Sequence, residues 1–238
     1  MSQQSGPSIV PEIEPYLHNA DYVIRLLAVN SIAAAGGPQA PQLLIEALGD
    51  SNEQVRDNAV NALHDHLPVG QERGLIAAWD ANRTRDGYVR QQIPMVLGRM
   101  PDATVEELRV RLNADQRREV HDGLISGMAK LHDADARKTF GEMLRDARGT
   151  RTADLMNFVE YEDEPWVIPL LVPVLQRRDI AYRSSTHVAQ YVRRECDLAV
   201  DEVIRISKAH FSFEPNPMAQ YTDQQINEVL RYAEAQAR

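Results

Sequence analysis

An internal repeat of 31 residues constrains the fold of this chain more than any other feature. Segment 17–32 reads LHNADYVIRLLAVNSI and segment 48–63 reads LGDSNEQVRDNAVNAL, with Arg25 aligned to Arg56 and the triplet Ala-Val-Asn identical. Apolar residues three to four positions apart in both segments predict amphipathic helices. Because a unit of this length is too small to bury its apolar face alone, the repeat predicts an array of stacked helical units.

Four further segments keep parts of the same pattern. The six predicted second helices lie around 17–32, 48–63, 86–97, 119–128, 151–159 and 190–200. A separate amphipathic stretch precedes each of them, from PEIEPYL at 11–17 to PWVIPLLVPVL at 165–175. The sequence therefore predicts an all-α chain of about six helix pairs.

The remaining segments suggest how this array begins and ends. Residues 1–7 are predicted to be disordered, 8–206 to form the repeat array, and 207–238 to form a C-terminal capping segment and helix. Pro215 and Pro217 forbid a regular helix after the last unit. Thr222 and Gln225 then have the spacing of a capping box, which predicts a final amphipathic helix. The stretch QRRDIAYRSSTH at 176–187 is predicted to be a long loop.

The residue pattern of the repeat also resembles that of a known family. Residues 50–63 follow the pattern D-x-x-x-x-V-R-x-x-A-x-x-A-L, which resembles HEAT repeats, particularly the short bacterial type of phycobilisome-lyase-like proteins. The resemblance covers roughly residues 8–206 and implies an α-α superhelix, a HEAT-repeat solenoid. It also implies that the repeated arginines are structural and pair with an acid or a carbonyl; these are Arg25, Arg56, Arg90 and Arg193.

Composition narrows the class of protein. Hydrophobic residues make up 43% and charged residues 26%, as is ordinary for a globular chain. The single cysteine, Cys196, allows no intrachain disulfide, and no signal peptide or membrane-length apolar run is visible, so we expect a cytoplasmic protein. The net charge of −9 disfavours nucleic acid as a ligand and favours a protein partner with a basic surface.

The sequence offers little evidence for catalysis. It contains no P-loop, dinucleotide fingerprint, nucleophile elbow or HExxH motif, so we predict no catalytic residues, no cofactor and no metal. His64 and His66 lie two apart on a predicted helix and point in different directions, which does not suit a shared metal ion. Two related scaffolds stay open as alternatives: a phycobilin lyase-like chromophore-handling protein and a HEAT-like DNA glycosylase.

Three groups of residues are candidate partner contacts. The outward positions of the second helices form a mostly polar strip, comprising Asn30, Asp57, Asn61, Asp65, Gln91 and Met95. A run of acids and aromatics follows the fifth unit, comprising Glu160, Tyr161, Glu162, Asp163 and Glu164. The predicted long loop adds Tyr182 and Arg183.

The acidic run has two interpretations. Either Glu162 to Glu164 complement the dipole at the start of a helix near Pro165, or the run is a contact site for a basic partner. Neutralising the run is expected to leave stability nearly unchanged. The leading functional hypothesis is a non-catalytic binding scaffold of the adaptor, inhibitor or immunity-protein kind, which clasps a bacterial protein such as a toxin.

Overall fold

The protein is mostly helical. A computed structural model describes residues 9–85, 87–185 and 190–236, so the predicted disordered segment 1–7 lies outside the described residues. Within these ranges the chain forms thirteen α-helices and one two-stranded sheet, in agreement with the predicted all-α class apart from the sheet. None of the described helices is long and apolar enough to cross a membrane. The chain divides into two compact units between Ala134 and Asp135.

The first unit consists of helix pairs at the predicted places. Its elements are α1 (Val10–Ile13) with a 3₁₀ turn (Glu14–His18), α2 (Tyr22–Ala35), α3 (Ala40–Ala47), α4 (Glu53–Asp65), α5 (Glu72–Ala81), α6 (Gly87–Gly98), α7 (Val105–Leu112) and α8 (Arg118–Lys130). The second helices contact one another in order, α2 with α4, α4 with α6 and α6 with α8. Each also packs on the first helix of its own pair. The unit is therefore a stack of helical hairpins.

Local sequence explains where the first two second helices begin. The Asp21 carboxylate accepts a hydrogen bond from the Val23 amide at 2.9 Å, and the Asn52 side chain accepts one from the Gln54 amide at 2.9 Å. Both side chains occupy the N-cap position, where they satisfy amides that have no partner within the helix. The inward faces of both helices, including Ile32, are fully buried.

The repeated arginines make matching contacts. Arg25 Nη1 donates to the Asn19 and Ala20 carbonyls, and Arg56 Nη1 donates to the Asp50 and Ser51 carbonyls, in both cases six and five residues upstream. The Arg25 guanidinium also donates two hydrogen bonds to the Asp50 carboxylate, at 2.7 and 2.8 Å. The predicted pairing of these two arginines with acids or carbonyls is confirmed.

Arg90 pairs with an acid in the same way and adds an aromatic contact. Its Nη1 bonds the Asp115 carboxylate, 25 residues downstream like the partner of Arg25. Its guanidinium lies 3.4 Å from the centroid of the Trp79 ring. Because Pro94 has no amide hydrogen, the Arg90 carbonyl loses its helical donor, and the Trp79 indole N–H donates to it at 2.9 Å instead.

Helices α6 and α8 approach each other closely. A Cβ added at Gly123 would lie 2.9 Å from the carbonyl carbon of Gln91, and one added at Gly127 would lie 2.7 Å from the carbonyl carbon of Pro94. Both glycines are buried on α8, and residues 93–98 of α6 are also buried. The two backbones therefore touch at positions where only glycine fits.

The second unit combines helices with a hairpin. Its elements are α9 (Ala134–Asp146), α10 (Thr150–Glu162), a 3₁₀ segment (Pro165–Leu171), α11 (Val172–Leu175), β1 (Ile180–Ser185), β2 (Gln190–Arg194), α12 (Glu195–Ser207) and α13 (Asp223–Ala235). Helix α12 contacts α10, α11 and α13. The capping box of Thr222 and Gln225 at the start of α13 is present as predicted.

The predicted long loop 176–187 is wrong over residues 180–185, and its last two residues lie outside the described residues. The predicted start of the sixth second helix is also wrong. Residues 180–185 pair antiparallel with 190–194, and the rings of Tyr182 and Tyr191 meet edge to face. Arg193 therefore lies in a strand and not in the predicted helix. It is nevertheless buried, pairs with Asp201 and donates a hydrogen bond to the Ala219 carbonyl at 2.8 Å. Helix α12 begins only at Glu195.

Candidate functional site

The predicted polar strip is partly present on α2 and α4. Asn30, Asn61 and Asp65 are exposed, and Asp57 is half-buried. The Tyr88 hydroxyl on α6 donates to the Asn61 amide oxygen at 2.7 Å, which links the outward positions of neighbouring hairpins. Because α2 packs against α4 and the repeat relates their residues, Asn30 and Asn61 occupy equivalent positions on adjacent helices.

The α6 part of the predicted strip differs from the prediction. Met95 is buried and Gln91 is half-buried, with its backbone against Gly123. The repeat register places Met95 at the position of Asn61, but the close approach of α8 covers this part of α6. Met95 therefore does not present its side chain at the surface, and the exposed strip belongs to α2 and α4.

Three residues that were not among the predicted partner contacts also lie on this surface. Tyr22, Val23 and Leu27 on α2 are exposed apolar side chains on the same face of the helix as Asn30. The sequence held a signal for them, because the repeat places polar residues at the corresponding positions of α4. An apolar residue at an outward position of a repeat stands out only when the units are compared position by position.

The first two hairpins carry most of the net charge of the chain. Residues 9–66 contain eight Asp and Glu residues against two arginines, which gives six of the nine net negative charges. Both arginines are tied to loops by the hydrogen bonds described above, and Arg56 is buried. Six of the carboxylates are exposed: Glu12, Glu14, Asp21, Glu46, Glu53 and Asp65. The surface of these hairpins therefore attracts cations.

Asp50 and His64 show how burial acts on titratable groups near this surface. Burial opposes ionisation of Asp50, but hydrogen bonds from Arg25 and the Asn52 amide outweigh it and lower the pKa of this carboxyl. Burial lowers the pKa of His64, whose Nε2 lies 2.9 Å from the Gln92 amide oxygen. Over the described ranges, no three or more His, Cys, Asp or Glu side chains are grouped to hold a metal ion.

The acidic run 160–164 is divided between the end of α10 and the start of the 3₁₀ segment that follows it. Glu160 to Glu162 form the C-terminal end of α10, and Asp163 is its left-handed cap, so these acids do not lie at the start of a helix. Glu162 is fully buried and does not reach the surface. Glu164 alone directly precedes the 3₁₀ segment. Tyr161 is half-buried and Glu160 is exposed.

Two of these acids pair with arginines of the second unit. Asp163 accepts a hydrogen bond from Arg205 at 2.6 Å, and Glu164 pairs with Arg137 at 3.3 Å. The Arg137 guanidinium lies over the Trp166 ring, 4.5 Å from its centroid. These contacts give Asp163 and Glu164 structural partners, so the run offers less free negative charge than its sequence suggests.

The other predicted contacts lie on the hairpin. Tyr182 is half-buried and Arg183 is exposed, both on β1. In the first unit a depression of about 190 Å³ is lined by Leu17, His18, Glu46, Ala47, Gly49 and Asp50. In the second unit one of about 410 Å³ is lined by Thr139, Glu142, Met143, Asp146, Ala147 and Arg151. The lining of the first depression is mainly polar, whereas small-molecule pockets are mainly apolar.

The arrangement best suited to recognition is therefore the outward face of α2 and α4, where exposed acids, amides and apolar side chains meet. It lies on helices that pack against each other rather than on a loop. The sequence matches no known protein-family model, and no curated protein is significantly similar to it.

Proposed function

We propose that this chain is a non-catalytic protein-binding scaffold of the HEAT-repeat type that engages a partner with a basic surface. The adaptor, inhibitor and immunity-protein roles are forms of this activity, and neutralisation of a basic bacterial toxin is its most concrete version. The acidic surface of the first two hairpins is the observation that carries the proposal. Repulsion of phosphate backbones by the same surface argues against DNA as the ligand.

The physical argument concerns encounter and selectivity. An acidic surface attracts a basic protein over distances up to the Debye length, about 8 Å at physiological ionic strength, and raises the association rate. Exposed carboxylates alone add little affinity once screened by salt. The amide groups of Asn30 and Asn61 supply uncharged hydrogen-bonding groups on the same face.

The test is recovery of a partner from native lysate at low and at high salt, with the chain immobilised. Wild-type protein is compared with the triple variant Glu46→Gln, Glu53→Gln, Asp65→Asn, which neutralises exposed carboxylates of the first two hairpins. We expect a stoichiometric partner at low salt, weaker recovery at high salt, and a loss of recovery with the variant.

A matched control removes the same charge elsewhere. Asp154→Asn, Glu214→Gln and Glu234→Gln neutralise three exposed carboxylates of the second unit. This control should retain the partner. Equal losses with both triple variants would show that only net charge matters, and no recovered protein at either salt concentration would contradict the proposal.

A further inference from the structure

Helix α2 exposes an apolar face where a solvent-facing helix ordinarily carries polar residues. The exposed fractions of Tyr22, Val23 and Leu27 are 41%, 44% and 58%. Leu26 is also partly exposed. At 3.6 residues per turn these four side chains fall within an arc of roughly 140° and form one patch, which we call the α2 patch.

The repeat provides an internal reference for this patch. The residues of α4 that lie 31 positions after those of the α2 patch are Glu53, Gln54, Asp57 and Asn58. All four are polar, whereas all four residues of the α2 patch are apolar or aromatic. Helices α2 and α4 are the second helices of adjacent hairpins. The repeat architecture itself therefore does not require apolar side chains at these positions.

The repeat register also shows which side of α2 the patch occupies. On α4, which both α2 and α6 contact, Glu53 and Gln54 are exposed, whereas Asp57 and Asn58 are half-buried. In the same register Val23 and Leu27 correspond to Tyr88 and Gln92 of α6, whose side chains reach Asn61 and His64 of the preceding helix α4. Val23 and Leu27 therefore occupy the positions through which α6 contacts the helix before it, and the patch is placed to receive a helix in the same way.

Carboxylates border the patch. Asp21 caps α2 directly before Tyr22, and Glu53, which is exposed, lies on the adjacent helix α4. An apolar centre with an acidic border is complementary to an apolar stripe flanked by lysine or arginine, and helices lie against apolar surfaces through residues spaced three and four apart. Exposed apolar groups of this kind mark binding sites.

We infer that the α2 patch receives a cationic amphipathic helix of the partner protein, with aliphatic side chains against Val23 and Leu27 and basic side chains toward Asp21 and Glu53. This inference rests on the proposed function, because it assigns to the same surface the form of the basic partner. The apolar contact supplies affinity that salt does not screen, and the acids supply orientation.

Two synthetic helical peptides of equal length and equal lysine content test the inference. One carries leucine and the other alanine on the face opposite the lysines, and binding is measured by fluorescence anisotropy. We expect the wild-type chain to bind the leucine peptide about tenfold more tightly than the alanine peptide, because only leucine buries substantial apolar area.

The decisive variant places residues of α4 on α2. Val23→Gln with Leu27→Asn copies Gln54 and Asn58, and should weaken the leucine peptide about tenfold while leaving the alanine peptide unchanged. Val110→Gln on α7 is the control, because Val110 is 74% exposed but lies away from the patch in sequence and on a first helix. It should leave both peptides unchanged.

The outcomes separate this inference from the proposed function. If the double variant binds the leucine peptide as tightly as wild type, the patch inference is overturned. If the triple carboxylate variant binds both peptides as tightly as wild type, the proposed function fails.

Two other occupants would also overturn the patch inference. A wild-type dimer in sedimentation that the double variant abolishes would assign the patch to a second copy of the chain. Tighter peptide binding after removal of residues 1–8 would assign it to that segment.

Discussion

Replacement of Gly127 by alanine tests how closely α6 and α8 approach each other. The added Cβ would lie 2.7 Å from the Pro94 carbonyl carbon, whereas carbon atoms in contact are ordinarily about 3.5–4.0 Å apart. The obstacle is backbone and cannot rotate away, so the helices have to separate by about 1 Å. Overpacking of this kind costs about 1–3 kcal/mol, and we place this variant near the upper end.

Alanine also has a higher helix propensity than glycine, by about 1 kcal/mol. We therefore expect Gly127→Ala to lower the free energy of unfolding by about 2 kcal/mol net. Gly74→Ala on α5 is the matched control, because its Cβ would meet only the Ile45 side chain at 3.6 Å. This control should raise the free energy of unfolding by up to about 1 kcal/mol.

Urea unfolding measures the difference, followed by Trp79 fluorescence in a Trp166→Phe background so that the signal comes from the first unit. The two variants should differ by about 3 kcal/mol, which at a typical denaturant slope separates their midpoints by at least about 1 M urea. If Gly127→Ala stabilises the unit as much as Gly74→Ala does, the backbone contact between α6 and α8 is absent and the reasoning fails.

Three further predictions concern buried polar groups. Hydrogen bonds from the neighbouring Arg117 lower the pKa of Asp115 to about 2. The ionised carboxylate should therefore stabilise the fold by about 2 kcal/mol at neutral pH. This contribution should be lost as pH falls from about 4 to 2. Asp115→Asn should flatten the stability profile measured across that range. Trp79→Phe should cost about 1–3 kcal/mol in urea unfolding, because it leaves the Arg90 carbonyl without its indole donor; an unchanged midpoint would contradict this. Glu162→Ala should lower the melting temperature while Glu160→Ala leaves it nearly unchanged, since only the first side chain is buried, and the reverse order would refute the assigned positions.

Periodicity alone predicted most of the helices. Three-to-four spacing of apolar residues is a local property, and it placed both helices of each pair in the first unit within a few residues of their observed bounds. The repeated Val-Arg pair failed in the sixth unit for a physical reason. Val192 and Arg193 satisfy the repeat pattern, but pairing with residues 180–185 is a non-local contact that holds them in a strand. The available signal was the β-branched and aromatic residues of the two segments, Ile180, Tyr182, Tyr191 and Val192.

The candidate site was predicted less completely. Repeat register correctly identified Asn30 and Asn61 as outward positions, because their environments are repeated. It misplaced Met95, since backbone contact at Gly123 and Gly127 changes the spacing of α6 and α8, and only the pair of small residues four apart signalled this contact. The apolar arc of α2 was missed because aliphatic residues in an amphipathic helix are ordinarily assigned to the core.

Asp50 is held from two directions, which affects how the first two hairpins behave together. Its side chain binds the arginine of the first hairpin, while its backbone carbonyl binds the arginine of the second. Detaching either hairpin would strip a charged group of its partner, so the two should open as one cooperative unit. The exposed carboxylates of the two hairpins would then keep a fixed spacing when a partner protein binds. The chain would therefore lose little conformational entropy on association.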